Sequence, residues 1–324
     1  MKRRTALIAA LLAATLAGGV AHAATTWNMA TGFADNNFHS NNVKAFAEDV
    51  KRLSNGKLEI VVHTGQSLYR QPEIKRAVSS GQIQIGEILL SAYGNEDPMY
   101  EADSIPFLAV GYDEVWDLYQ AQKPFLEKRF AKSGLMLLYS VAWPGTALYT
   151  KTPVTKLSDL EGVKMRAYNA ATARLAERLG AVPTTVQAVE VGQAFSTGVI
   201  QAMITSPTTG VDTHSWEYID HYLNLQAWHN KNFVIVNRRA FMRLDKDTQE
   251  AVRKAAAIAE ERGWKISKEK SVAAVKTLAD HGVQIHEPSQ ELLSEIKSVA
   301  RPMIDEWVER AGPDGKAIMQ KLKR

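Results

Sequence analysis

Arg166 is the first residue whose type and placement point to chemistry. In GVKMRAYN (162–169), Val163, Met165 and Ala167 alternate with Lys164, Arg166 and Tyr168, the two-residue period of a strand. Arg166 therefore sits at the carboxyl end of a predicted strand, and Asn169, three residues on, is placed to cap the helix that follows. A guanidinium there can grip a carboxylate through two parallel hydrogen bonds, and a helix N-terminus adds favourable potential for an anion. It can equally pair with a structural Asp or Glu at the surface, and position alone leaves both open. Other chemistry is thin. Asp212, His214, Asp220, His221 and His229 gather within 18 residues, but their spacings match no tetrahedral zinc pattern and their segment reads as irregular. A metal-dependent hydrolase is the enzymatic alternative they leave. GxSxG, GxxxxGK[ST], HExxH and a GxGxxG after the first strand are all absent. No catalytic residue, metal or cofactor is expected.

The elements that must hold Arg166 follow from periodicity. Residues 25–33, 57–64 and 82–90 read as strands, with helices over 42–54 and 72–80 between them. That alternation predicts a parallel sheet with helices on both faces, whose ligand lies beyond the carboxyl ends of the strands. A second unit begins near residue 134, with strands at 134–143, 162–169, 181–186, 199–206 and 233–237 and helices at 170–179 and 189–195. Residues 245–281 read as a long helix, 282–287 as a short strand and 288–310 as helix again. No fixed-period repeat and no low-complexity linker separates the halves, which suits two lobes sharing hinge segments.

Composition agrees. The chain has 324 residues, 45% hydrophobic and 23% charged, with no cysteine, inside the globular range. Lack of cysteine excludes disulfide scaffolds, thiolate metal sites and thiol nucleophiles. Residues 1–23 carry Lys2, Arg3 and Arg4, an apolar run and Ala21-His22-Ala23, the layout of a secretory signal peptide. Those three cations supply all but one of the formal +4 charges. Bulk charge thus says little about a partner, and no basic stripe with interleaved aromatics marks nucleic acid.

The signal peptide, HTGQSLYRQPEIKRAVSSGQIQIGE (63–87), GVKMR, AVEVGQAFSTGVIQAMITSP (188–207) and the helical tail after FVIVNRRAF (233–241) together resemble the extracytoplasmic solute receptors of TRAP transporters, the DctP-type proteins. The resemblance runs over nearly all of residues 25–320. It implies an α/β, two-lobed periplasmic binding protein fold, type II-like, with lobes joined by hinge segments and long C-terminal helices. The expected division is 24–143 mainly first lobe, 144–232 mainly second lobe with Arg166, and 233–324 a hinge-crossing strand and helices packing on both. It further implies a periplasmic, non-enzymatic receptor that captures a small organic anion and delivers it to a membrane permease. In this family the arginine matching Arg166 forms a salt bridge with the ligand carboxylate.

Two departures bear on the ligand. Ser206-Pro207 stands where C4-dicarboxylate and sialic-acid receptors often have Asn or Gln before the proline, and WPGTALYTKTPV (143–154) lacks their second arginine. Both argue against a diacid or a polyhydroxylated sugar acid. Trp143, Tyr93, Phe33, Phe38 and Trp216 lie at predicted strand ends or loops. As cleft walls they would favour a flat, apolar body; as core residues they would simply be buried for area. An aromatic or 2-oxo or 2-hydroxy monocarboxylate, such as benzoylformate or mandelate, is the expected ligand. Ser206, Thr208 or Thr209, and Asn169 would bond a second oxygen, and His39 either contacts the ligand or caps the first helix. A sensory module is the other non-enzymatic reading. A monomer is expected, although the apolar stripe of the 245–281 helix also allows a dimer.

Overall fold

The computed structural model describes residues 24–323; the expected export signal at 1–23 lies outside them. In the first part of the chain, strands β1 (Thr25–Thr31), β2 (Leu58–His63), β3 (Ile85–Leu89) and β4 (Leu135–Ala142) alternate with helices α1 (Phe38–Leu53), α2 (Ile74–Ser80) and α3 (Gly111–Lys132). Next come β5 (Ala147–Thr150), β6 (Lys164–Ala167), α4 (Ala170–Arg178), β7 (Val182–Thr185), α5 (Val191–Ser196), β8 (Ala202–Thr205), α6 (Pro207–Asp212) and β9 (His221–Leu223). The chain ends with β10 (Lys231–Asn237), α7 (Arg238–Met242), α8 (Lys246–Asp280), β11 (Gln284–His286), α9 (Gln290–Ala300) and α10 (Pro302–Lys321).

The strands form two sheets, ordered β2-β1-β3-β10-β4 and β11-β9-β5-β8-β6-β7, one in each of two α/β lobes. Neither sheet is wholly parallel as expected from the alternation. In the first, β10 runs against both its neighbours, and in the second β5 does. The reason is connectivity. These two strands follow the segments, 143–146 and 224–230, by which the chain crosses between lobes. The other strands end at the cleft, whereas a strand entering from the cleft must run away from it. The crossings are tied to each other: Trp143 N–H donates to the Asn230 carbonyl at 2.8 Å and Thr146 N–H to the Trp228 carbonyl at 3.1 Å. Hence β10, expected as a hinge-crossing strand, lies within the first sheet, and the residues just before it make the crossing.

Helix α3 escapes the periodicity reading, because Pro124 lies inside it and proline is the residue that usually ends a helix. The expected helix at 288–310 is two, since α10 starts at Pro302 and its backbone turns non-helical at Gly312. The supposedly irregular stretch after Asp212 holds a 3-10 turn, Ser215–Glu217, and strand β9.

Helix α8 has 35 residues and so spans about 50 Å, reaching from α1 and β4 of the first lobe to α6 and β11 of the second. Its buried face includes Val252, Trp264 and Leu278 but is rich in small residues, Ala251, Ala255, Ala256, Ala259 and Gly263, which let it lie close against its neighbours. A Cβ on Gly263 would fall 2.4 Å from Val141 Cγ2 and 2.8 Å from Asn42 Nδ2. Gly263→Ala gains helix propensity, about 1 kcal/mol, but overpacking of this kind costs about 1–3 kcal/mol. We expect a net loss of stability, read as a lower thermal unfolding midpoint; an unchanged or higher midpoint would refute the close-packing account. Among the described residues no helix is long and apolar enough to cross a membrane.

Candidate ligand-binding cleft

The carboxyl ends of the forward strands and the entry points of the reversed ones meet around one cavity. Gly32 and Phe33 follow β1, Gln66 follows β2, Leu89 ends β3, and Trp143 follows β4. From the second lobe come Arg166 of β6, Tyr168, Gln187 after β7, Thr205 and Ser206 at the end of β8, and Thr209 of α6. Thr146 and Asn230 line it from the crossings. About 50 Å³ of its space is open to the centre of a water molecule. One water needs about 10–15 Å³ by that measure, so the cavity suits a compact ligand. Contacts join the lobes at residues near cavity-lining ones in the chain: Asn37 Nδ2 donates to Asp212 Oδ2 at 2.6 Å, and Arg70 lies 3.4 Å from Glu190.

Arg166 is 4% exposed. Its strand pairs with β7 and β8 on either side, which holds the backbone rigidly. Nε donates to the Val186 carbonyl at 2.9 Å and the guanidinium sits 5.0 Å from the centre of the Tyr168 ring. That cation–π contact offsets part of the desolvation. Tyr168 is itself fixed, donating to Asn230 Oδ1 at 2.6 Å and accepting from Trp228 Nε1 at 2.9 Å. Among the described residues no carboxylate forms an ion pair with Arg166. Burial pushes its pKa down to about 10; it remains charged at pH 7. With Nε committed, the paired Nη donors are the edge left for a ligand.

The other expected residues divide. Phe33 and Trp143 line the cavity as an apolar wall, their ring centres 5.0 Å apart, and Trp143 Nε1 donates to Asn232 Oδ1 at 2.9 Å. Ser206 caps α6 by accepting from Thr209 N–H at 3.2 Å, and its hydroxyl also meets those of Thr208 and Thr209 at 2.9 and 3.1 Å. Phe38 and His39 lie behind the wall: the His39 ring is fully buried, 4.0 Å from Phe38 and 4.3 Å from Trp143. Asn37, not His39, caps α1, its side chain accepting from His39 N–H at 2.8 Å. The His39 Nδ1 faces Glu87 at 3.5 Å, and burial lowers its pKa. Asn169 caps α4 and donates to Ser91 and Ser104, both at 3.0 Å, bracing the lobes beside the cavity. Tyr93 donates to the Gln71 carbonyl at 2.9 Å from behind. Trp216 stacks on the exposed His281 at 4.0 Å, half-buried against the core of the second lobe and off the cavity. Of the histidine group, His229 sits in the crossing with Nδ1 2.9 Å from the Trp143 carbonyl, and burial takes its pKa down to about 4. Among the described residues no three His, Cys, Asp or Glu side chains are grouped to hold a metal.

Periodicity passes over Gln71, Thr146, Gln187 and Asn230, which lie in turns and crossings. The signal for Gln71 is its place before Pro72, where a short helix begins. Gln66 is marked only by its backbone: φ is +62°, after Gly65 at the same value, a left-handed pair that turns the end of β2 into the cleft.

Two lobes bridged by paired crossings, around a small cavity with a guanidinium on its wall that pairs with no carboxylate among the described residues, fit a solute receptor. The chain belongs to the bacterial extracellular solute-binding protein family 7 (DctP), whose profile matches residues 29–311. It is similar to the structure of DctP6, a Bordetella pertussis extracytoplasmic solute receptor binding pyroglutamic acid, at 49% identity and a TM-score of 0.91, covering 92% of this chain and 99% of that one. It is also similar to a marine-metagenome TRAP solute-binding protein specific for pyroglutamate, at 38% identity and a TM-score of 0.91, over 93% and 99% of the two chains. The C4-dicarboxylate-binding periplasmic protein DctP of Rhodobacter capsulatus is 26% identical over 276 residues, 83% of this chain and 82% of the relative. The chain is a TRAP-type solute-binding protein, and these relatives are transport receptors.

Proposed function

We propose that this periplasmic receptor captures a small monocarboxylate on the Nη edge of Arg166 and delivers it to a TRAP permease, and that pyroglutamate is its ligand. The carrying observation is the buried Arg166 guanidinium, with no carboxylate in ion-pair reach among the described residues, on the wall of a compact cavity. Relatives at 49% and 38% identity that bind pyroglutamate support the choice of acid. Arg166 is the only arginine on the cavity wall among the described residues, which disfavours a diacid. Ligand contacts from both lobes select the closed form, which the permease reads. The apolar wall of Phe33 and Trp143 favours a second reading, an aromatic 2-oxo or 2-hydroxy acid. Calorimetry decides between them: L-pyroglutamate should bind and raise the unfolding midpoint, with benzoylformate and mandelate as the rival pair. Binding of only succinate would overturn the monocarboxylate reading, and binding of only glucuronate would overturn both proposed acids.

A further inference from the structure

Two cavity-lining side chains hold buried polar atoms with no hydrogen-bond partner among the described residues: Gln71, through both Oε1 and Nε2, and Thr146, through Oγ1. Buried polar groups are almost always paired, so an amide with neither atom satisfied is a place where a ligand belongs. Gln71 is 5% exposed, whereas the other two glutamines on the wall, Gln66 and Gln187, are half-buried. Its side chain lies flat on Gly32, where an added Cβ would come 2.0 Å from Oε1; a glycine at the end of β1 is what lets it reach this wall. Gln71 belongs to the first lobe and Arg166 to the second, so a ligand held by both bridges the cleft.

We infer that Gln71 reads a cyclic amide: its carboxamide pairs with the cis N–H and C=O of a lactam while Arg166 holds the carboxylate. A lactam ring fixes its donor and acceptor side by side on one edge. A primary carboxamide presents the complementary pair, Oε1 accepting and Nε2–H donating. A lactone with the same ring and carboxylate replaces the donor by an oxygen, which leaves Oε1 unpaired. This rests on the carboxylate reading above and adds the second recognition element to it.

The test compares L-pyroglutamate with its lactone isostere, 5-oxotetrahydrofuran-2-carboxylate, by calorimetry on the full receptor and on Gln71→Met. The wild type should prefer the lactam by roughly ten- to a hundredfold, and Gln71→Met should reduce that ratio to about threefold or less. The wild-type preference needs no variant, and the fluorescence of Trp143 on the cavity wall gives a second readout of binding. Equal affinity for the two acids overturns the assignment while leaving the carboxylate reading intact. A preference that survives Gln71→Met overturns it as well, placing the amide on another side chain. If neither acid binds the wild type, the pyroglutamate reading fails and takes this assignment with it.

Discussion

Arg166→Met should abolish tight carboxylate binding and, at the same time, make the unliganded receptor more stable. Truncating one partner of a buried, hydrogen-bonded charge pair costs about 2–5 kcal/mol of binding, so affinity should fall by a factor of about 30 to several thousand. Arg166→Lys keeps the charge but loses the planar fork and should fall between the two. The stability gain follows from the sign of the titration. Burial lowers the folded-state pKa from its ordinary value to about 10, so the unfolded chain holds this proton more tightly. The penalty is fully present below about pH 10 and relieved only as pH rises further, toward the arginine's ordinary value. At pH 7 it is on the order of 3 kcal/mol, a net figure in which the Tyr168 ring already offsets part of the desolvation. Methionine carries no such penalty, so the unliganded midpoint should rise by a few degrees while the ligand-induced shift disappears. A variant that binds normally, or one whose unliganded form is markedly destabilised, would contradict an arginine held without a partner for its ligand.

That tension also explains what could be read from the sequence. The alternation in GVKMRAYN placed Arg166 at a strand end and Asn169 at a helix cap, because both are local facts, one of period and one of capping chemistry. Strand direction is not local. Whether β5 and β10 run with or against their sheets depends on where the chain crosses between lobes, and the short β5 carries too little periodicity to be seen. The aromatic residues show the same limit. Phe33 and Trp143 face the cavity, whereas Phe38 packs behind Trp143 and Trp216 lies half-buried against the other lobe's core, because residue type records burial but not which side of a wall is buried. Gln71 is the opposite case: a polar residue in a turn, ordinary in sequence, whose significance appears only once Gly32 and the closed cleft surround it.

The second large effect concerns the crossing itself. Asp103→Ala should destabilise the fold by about 3–5 kcal/mol, the usual cost of leaving one member of a buried ion pair alone. Asp103 and Lys231 are almost fully buried, 4% and 0% exposed, with Oδ2 3.5 Å from Nζ. The same Oδ2 accepts from Lys231 N–H at 2.8 Å, and Oδ1 accepts from Asn230 Nδ2 at 3.5 Å. Asp103 therefore fastens the chain at the point where it returns to the first lobe and begins β10. It also steadies Asn230, which holds Tyr168 under the Arg166 guanidinium. Burial raises the Asp103 pKa and lowers that of Lys231, so both charges are carried against their desolvation. That leads to a sharper expectation for the double variant. Asp103→Leu with Lys231→Met removes both desolvation costs together, and such exchanges are commonly neutral or stabilising. Urea denaturation of the single and double variants measures the difference. The double variant should recover most of the stability lost by Asp103→Ala, yet bind ligand less tightly, because the hydrogen bonds from Asp103 to the crossing are gone. Recovery of stability without loss of affinity would mean that the pair serves packing alone; a single variant losing less than about 1 kcal/mol would mean that it is not the fastening the buried geometry describes.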